Sequence, residues 1–198
     1  MTAARPALGR THSDVALAAA LGGAHVIQFR DKELSDPDFL AEARRIAEIA
    51  RAAGVIFIVN DRVEAAKESR ADGVHVGQSD RGCEAVRDAV GPDMIIGVSA
   101  ANLAEARLAA AAGADYIGVG PIFATNSKAD AAAPIGTRGL AAIAAEIERP
   151  IVAIGGIGRD LVKEIRAAGA SGAAHIEAVA AAPYMAAAVR ALRQEWET

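Results

Sequence analysis

A short phrase recurs where alanine-rich stretches end: Ala52-Ala53-Gly54-Val55, Arg70-Ala71-Asp72-Gly73-Val74, Ala111-Ala112-Gly113-Ala114-Asp115 and Ala167-Ala168-Gly169-Ala170-Ser171. Glycine just past a helix end accepts the left-handed conformation that closes the last turn, and the chain then passes directly into an extended run. Four such joints amount to an internal repeat of βα units. A chain built this way folds either as a doubly wound parallel sheet or as a closed barrel.

The runs between the joints supply the strands. His25–Arg30, Val55–Asn60, Gly73–Gly77, Met94–Ser99, Tyr116–Gly120, Pro150–Gly155 and Gly172–Glu177 are short and mostly rich in Val and Ile, as strands buried on both faces are. Helical spacing predicts helices near Ser13–Leu21, Asp36–Ala53, Val63–Ser69, Gly82–Val90, Leu103–Ala112, Thr137–Ile147, Arg159–Ala168 and Pro183–Glu195. The clearest, Asp36–Ala53, opens on Ser35-Asp36-Pro37, a cap residue followed by a proline suited to a first turn. A helix ahead of the first visible strand implies a degraded strand before it. Only Thr2–Leu8 is available, and Pro6 there lacks a donor. The expectation is one α/β domain over residues 1–198, a (β/α)8 TIM barrel with its first strand truncated or irregular.

Composition excludes partners more than it identifies them. The 198 residues carry a net charge of −4 and a pI near 5.6, which argues against nucleic acid or a membrane surface. Bound anions must then be held by local groups. A single cysteine, Cys83, fits a reducing compartment, and no signal-like or membrane-spanning apolar run occurs. The expected setting is the cytoplasm, and a homo-oligomer is compatible with the chain.

In a βα barrel, chemistry sits where strands end and βα loops begin. The first visible strand ends Gln28-Phe29-Arg30-Asp31-Lys32, and alternation puts Gln28, Arg30 and loosely Lys32 on one side. One arginine would read as a solvated strand end; two cations in step point toward an anion. Asn60-Asp61-Arg62 ends the next strand, and Asp80 follows the one after. Each aspartate alone reads as a helix cap; two from neighbouring loops also read as hard oxygen ligands for Mg²⁺. His75, inside an apolar strand, reads as a core histidine. The longest βα loop, Pro121–Ala131, carries Thr125, Ser127 and Lys128, a cluster able to close over phosphate. Gly155-Gly156 follows a late strand, where barrels often bind phosphate on backbone N–H groups.

These stretches resemble the thiamine phosphate synthase family from Gly22 onward: QFRDKELSD, NDR, ADGVHVGQSD, IIGVS, ADYIGVGPIFATNSKADAAAPIG and VAIGGI occur in the family's order and spacing. The resemblance implies a transferase that joins hydroxymethylpyrimidine diphosphate to thiazole phosphate and releases pyrophosphate. It implies Asp61 and Asp80 as Mg²⁺ ligands, and Arg30, Lys32, Asn60 and Lys128 on the diphosphate. Gln28 and Ser99 would contact the pyrimidine, Thr125 and Ser127 belong to a mobile loop, and Gly156 holds the thiazole phosphate. Arg30, Lys32, Lys128 and Ser99 would be the catalytic set.

The chain departs from the family at three places. Its first strand lacks a good counterpart, Ala124 and Ser127 replace a proline and a threonine, and Glu177 stands where the family has a serine near the thiazole phosphate. A carboxylate there would repel the phosphate. Two other readings follow: a non-catalytic paralogue that binds a phosphorylated ligand, and a thiazole tautomerase. The second wants a histidine in the barrel mouth, which neither IIGVSAANL nor GVGPIFATN supplies.

Overall fold

The computed structural model describes residues 1–125 and 132–198, and within them the alternation is realised almost element for element. The strands are β1 (Val26–Phe29), β2 (Ile56–Asn60), β3 (Gly73–Val76), β4 (Ile95–Ala100), β5 (Tyr116–Val119), β6 (Ile151–Ile154) and β7 (Gly172–Ala174). The helices are α1 (His12–Leu21), α2 (Asp36–Ala53), α3 (Val63–Ser69), α4 (Cys83–Val90), α5 (Leu103–Ala111), α6 (Gly136–Ala144), α7 (Val162–Ala167), α8 (Glu177–Ala180) and α9 (Met185–Glu197). Single 3₁₀ turns occupy Pro6–Leu8 and Arg159–Leu161.

The chain divides into two compact units. The first comprises Met1–His75, Ala89–Ile95 and Ile176–Gln194; the second comprises Val76–Asp88, Ile96–His175 and Glu195–Thr198. In the first unit β1, β2 and β3 pair in parallel in chain order. In the second, β4, β5, β6 and β7 do the same. The α/β class therefore holds, with seven parallel strands among the described residues.

The first unit's core lies under α2. Phe39, Ala43, Ile46, Ala47 and Ala50 fall on one stripe of that helix and are buried. They meet a core that includes Ile27, Phe29 and Phe57, all buried. Each such large side chain contributes about 1.5–3 kcal/mol. Ser35 caps the helix by accepting the Asp38 N–H, and Gly54 closes it at φ 65. At α1, Thr11 and Asp14 form a reciprocal capping box.

No strand forms ahead of α1. Thr2 instead donates its N–H to the Gln28 carbonyl at 2.7 Å, and it is only 3% exposed. Residues ahead of Pro6 thus supply one backbone contact to β1, and the chain turns back through an Arg5–Arg10 bridge. A second departure lies at the other end. Gly172–Glu177 does not continue as a strand: β7 stops at Ala174, and Glu177 opens the short α8.

At three of its four occurrences the recurring phrase forms a clasp. Before β3, the Asp72 N–H donates to the Phe57 carbonyl at 2.9 Å while its carboxylate accepts the Phe57 N–H at 2.8 Å. Before β5, Asp115 makes the same pair with Ile96 at 2.8 and 2.7 Å. Before β7, Ser171 repeats it with Ile151 at 2.8 and 3.4 Å. Each clasp satisfies both backbone groups where the preceding strand begins, groups that would otherwise need water.

Candidate active site

The first unit gathers Gln28, Arg30, Lys32, Asn60 and Asp61 from two neighbouring strands and their loops. Gln28 pairs in register with Ile58, so the two share a face; Arg30 and Asn60, each two residues on, continue it at the carboxyl ends. Asn60 is 7% exposed and lies beside buried His75 in register. Lys32, in the loop beyond, is exposed.

Asp61 has a special backbone. Its φ is 63, and the Asn60 carbonyl accepts the Arg62 N–H at 2.8 Å, so Asp61 is the centre of a three-residue turn. Such a conformation costs an L-residue roughly 1–3 kcal/mol and persists where its surroundings impose it. One such constraint is the Asp61 N–H, which donates to the His75 carbonyl at 2.8 Å. The alternative explanation for Asp61, a helix cap, fails because α3 takes Arg62 as its cap residue without a side-chain bond.

Glu177 also belongs to this unit. Its carboxylate forms an ion pair with Arg5, half-exposed to water, so its charge is compensated locally.

In the second unit the site is made largely of main chain. Asp80 accepts the Gly77 N–H at 2.7 Å, holding the turn after β3, and α4 begins only at Cys83. Asp80 is therefore a turn-former with a second oxygen in reserve. Gln78 donates to the Ser99 carbonyl at 2.6 Å, which ties that turn to β4. Ser99 lies in register with Gly118 of β5.

The loops after β5 and β6 are laced together. Ile122 and Phe123 donate N–H groups to the Ile154 and Gly155 carbonyls at 2.9 and 3.0 Å. Gly156, at φ 64, backs onto this lacing so closely that a Cβ there would lie 2.5 Å from the Ala124 carbonyl oxygen. Glycine is required on both counts. The path leads through the 3₁₀ turn Arg159–Leu161 before α7, rather than straight into an α-helix. His175 donates its Nδ1–H to the Ile157 carbonyl at 3.0 Å, and burial lowers its pKa, which keeps the ring neutral.

Thr125 leaves the lacing at its outer end. The returning segment is fixed to the same place, since Ile135 and Gly136 donate to the Pro121 and Ile122 carbonyls at 3.1 and 3.0 Å. Ser127 and Lys128 lie outside the described residues.

The sequence stretches contain Asp31 and Arg62 but single out neither, although Asp31 accepts the Glu33 and Leu34 N–H groups and Arg62 donates to the Leu34 carbonyl. The signal was available for Asp31, an acid set between two cations that otherwise repel. Nothing in a linear pattern shows that Arg62 reaches back across 28 positions to the Leu34 carbonyl.

Comparison with known proteins joins the two halves to one family. The family model for thiamine monophosphate synthase matches residues 1–179. A thiamine-phosphate synthase of Chloroflexus aurantiacus is 50% identical over 185 residues, covering 93% of this chain and 85% of that protein. One from Moorella thermoacetica is 48% identical, covering 94% and 89%. The solved thiamine phosphate pyrophosphorylase of Pyrococcus furiosus superposes at a TM-score of 0.90 with 33% identity, over 99% of this chain and 94% of that one. A 3-hexulose-6-phosphate synthase, 21% identical at a TM-score of 0.67, shares the fold. With the family model matching residues 1–179 and relatives of about 50% identity over nearly the full length, the chain belongs to the thiamine monophosphate synthase family.

Proposed function

We propose that the protein couples hydroxymethylpyrimidine diphosphate to thiazole phosphate, giving thiamine phosphate and pyrophosphate. The observation that carries this reading is the convergence of Arg30, Asn60 and the strained Asp61 at one end of β1 and β2, in a chain of this family. The carbon–oxygen bond to the diphosphate breaks with its electron pair going to pyrophosphate, and the thiazole nitrogen supplies the pair for the new bond.

On this reading Arg30, Lys32, Asn60 and Lys128 bind the diphosphate and stabilise its growing charge, Gln28 and Ser99 orient the pyrimidine, and Thr125 and Ser127 close over it. Gly156 receives the thiazole phosphate on main-chain N–H groups, where a side chain would obstruct it. Two hard carboxylates, Asp61 and Asp80, suit Mg²⁺, which takes one or two such ligands and completes its shell with phosphate and water. Among the described residues no three acidic, His or Cys side chains form a metal cluster by themselves, and such an ion needs none. When bound, the ion supplies charge neutralisation at the leaving pyrophosphate.

Closure of the strands into an eight-membered barrel, with residues ahead of Pro6 in the first strand's place, is part of the same proposal, as is a single domain over residues 1–198. The fold likeness over nearly the whole chain supports both. No described helix is long and apolar enough to cross a membrane; the acidic composition and single cysteine support a cytoplasmic placement. The pairing of Glu177 with Arg5 supports the enzyme over a non-catalytic paralogue, because the carboxylate has a local counter-charge.

The test is product formation from both precursors with Mg²⁺. Turnover in the parent that disappears in Asp61→Ala is expected. A folded parent that makes no thiamine phosphate overturns the reading.

A further inference from the structure

The loop after β1 carries Arg30 and Lys32, two like charges that repel each other, and the residue between them is turned to a different use. Asp31 Oδ1 accepts the N–H groups of Glu33 and Leu34, both at 2.8 Å. Its Oδ2 lies 2.9 Å from His12 Nε2. His12, at the start of α1, is 5% exposed, and its Nδ1 lies 3.0 Å from Thr2 Oγ1. Its ring meets Phe29 edge-on at 4.9 Å. Burial raises the Asp31 pKa, and the bonds from Leu34, His12 and Glu33 more than reverse it, so the carboxyl stays below its ordinary value.

The far end of the loop is held from the other strand. Arg62 donates from Nη2 to the Leu34 carbonyl at 2.7 Å and from Nη1 to Asp36 Oδ1 at 2.9 Å. Its guanidinium lies 4.2 Å above the Phe39 ring, which stacks on Phe29. Arg62 directly follows the strained Asp61. One side chain therefore links the loop of cations to the turn that bears the aspartate, and the Phe29–Phe39 stack joins both clamps.

We propose that His12, through Asp31, and Arg62 are positioning residues that set the loop of Arg30 and Lys32 against the Asn60-Asp61 turn, so that both cations meet one diphosphate. Neither His12 nor Arg62 touches substrate. Held in register, the cations present a prepared anion site; released, they separate and pay for their ordering on binding. The inference rests on the synthase reading.

The test separates the two substrates. His12→Phe fills the buried volume but removes the partner of Asp31, whereas His12→Gln keeps a donor; Arg62→Met keeps the stem and loses both donated bonds. His12→Phe and Arg62→Met are expected to raise KM for the pyrimidine diphosphate about tenfold, the scale of a lost hydrogen bond to a charged group. His12→Gln should stay within about twofold of the parent, and KM for thiazole phosphate should stay within about twofold in every variant. Should His12→Phe not fold, Arg62→Met decides. Equal shifts for both substrates, no shift for either, or a His12→Gln as impaired as His12→Phe overturns the inference alone. A folded parent without synthase activity overturns the functional reading and the inference with it.

Discussion

On the proposed reading, the two units solve related binding problems with different materials. In the first, side chains do the holding: Asp31, His12 and Arg62 brace a loop of cations, and Asp61 accepts backbone strain at the end of β2. In the second, the main chain does it, with two laced loops, a glycine pair and an aspartate spent on its own turn. The difference follows from what must be held. Converging like charges repel each other and need compensation built around them, whereas backbone N–H groups need only the correct path and the absence of a Cβ. Side-chain machinery is exposed to single substitutions at many positions; main-chain machinery is exposed at its glycines.

The sharpest break of this contrast is Asp61→Gly. Glycine adopts φ 63 without strain, so thermal stability should hold or rise while kcat/KM falls by at least about a hundredfold. A fall in both, read by calorimetry and assay, would make Asp61 a structural residue. In the second unit, Gly156→Ala should do the reverse and lose stability together with binding. Its Cβ would press on the Ala124 carbonyl at a left-handed φ, at a cost of about 1–3 kcal/mol. Here KM for thiazole phosphate should rise, and an unchanged melting temperature would show that the lacing yields.

The clasps predict an effect of similar kind in both units. Asp115→Ala leaves the Ile96 N–H without its carboxylate and removes one ion pair from Arg87, and should cost about 1–3 kcal/mol by denaturant unfolding. Asp72→Ala should follow it closely, while Ser171→Ala, with its longer 3.4 Å bond, should cost least. The smallest effect is one of pH. His175 has a folded pKa below its ordinary 6.5, so the unfolded chain binds the proton first. Stability should therefore be unaffected above about pH 6.5 and decline as pH falls through that value toward the folded one. His175→Gln should flatten that decline, and an unchanged slope would assign it to other groups.

Much of this was legible before any coordinates. The joints identified the parallel βα repeat because left-handed closure and buried strands leave marks in residue type, although at the second joint Arg70, at φ 56, takes the closing position and Gly73 begins β3. Gln28 and Arg30 could be singled out because strand alternation puts them on one side, and Asn60 and Asp61 because they end the next strand, where βα-barrel chemistry sits. What was hidden depends on distance along the chain. Thr2 as a stand-in beside Gln28, Glu177 turned into a helix and paired with Arg5, and Arg62 reaching Leu34 are contacts between residues that no local pattern connects. An aspartate was visible in two of the four joints and a serine in a third, yet their clasps were not, because a helix-end motif accounts for the glycine and says nothing of its polar neighbour.

The clasps bear on how the chain comes to fold. Each joins residues 15, 19 or 20 positions apart, spanning one strand, one helix and the entry to the next strand. The entropy lost in closing a loop grows only slowly with length but favours such short returns, and rates rise when contacts are local. A strand–helix–strand segment can thus check its own register as soon as its second strand emerges, without waiting for the rest of the chain. Exchange-protected amides should accordingly appear in pairs of strands, β2 with β3, β4 with β5 and β6 with β7, each gaining protection as a block.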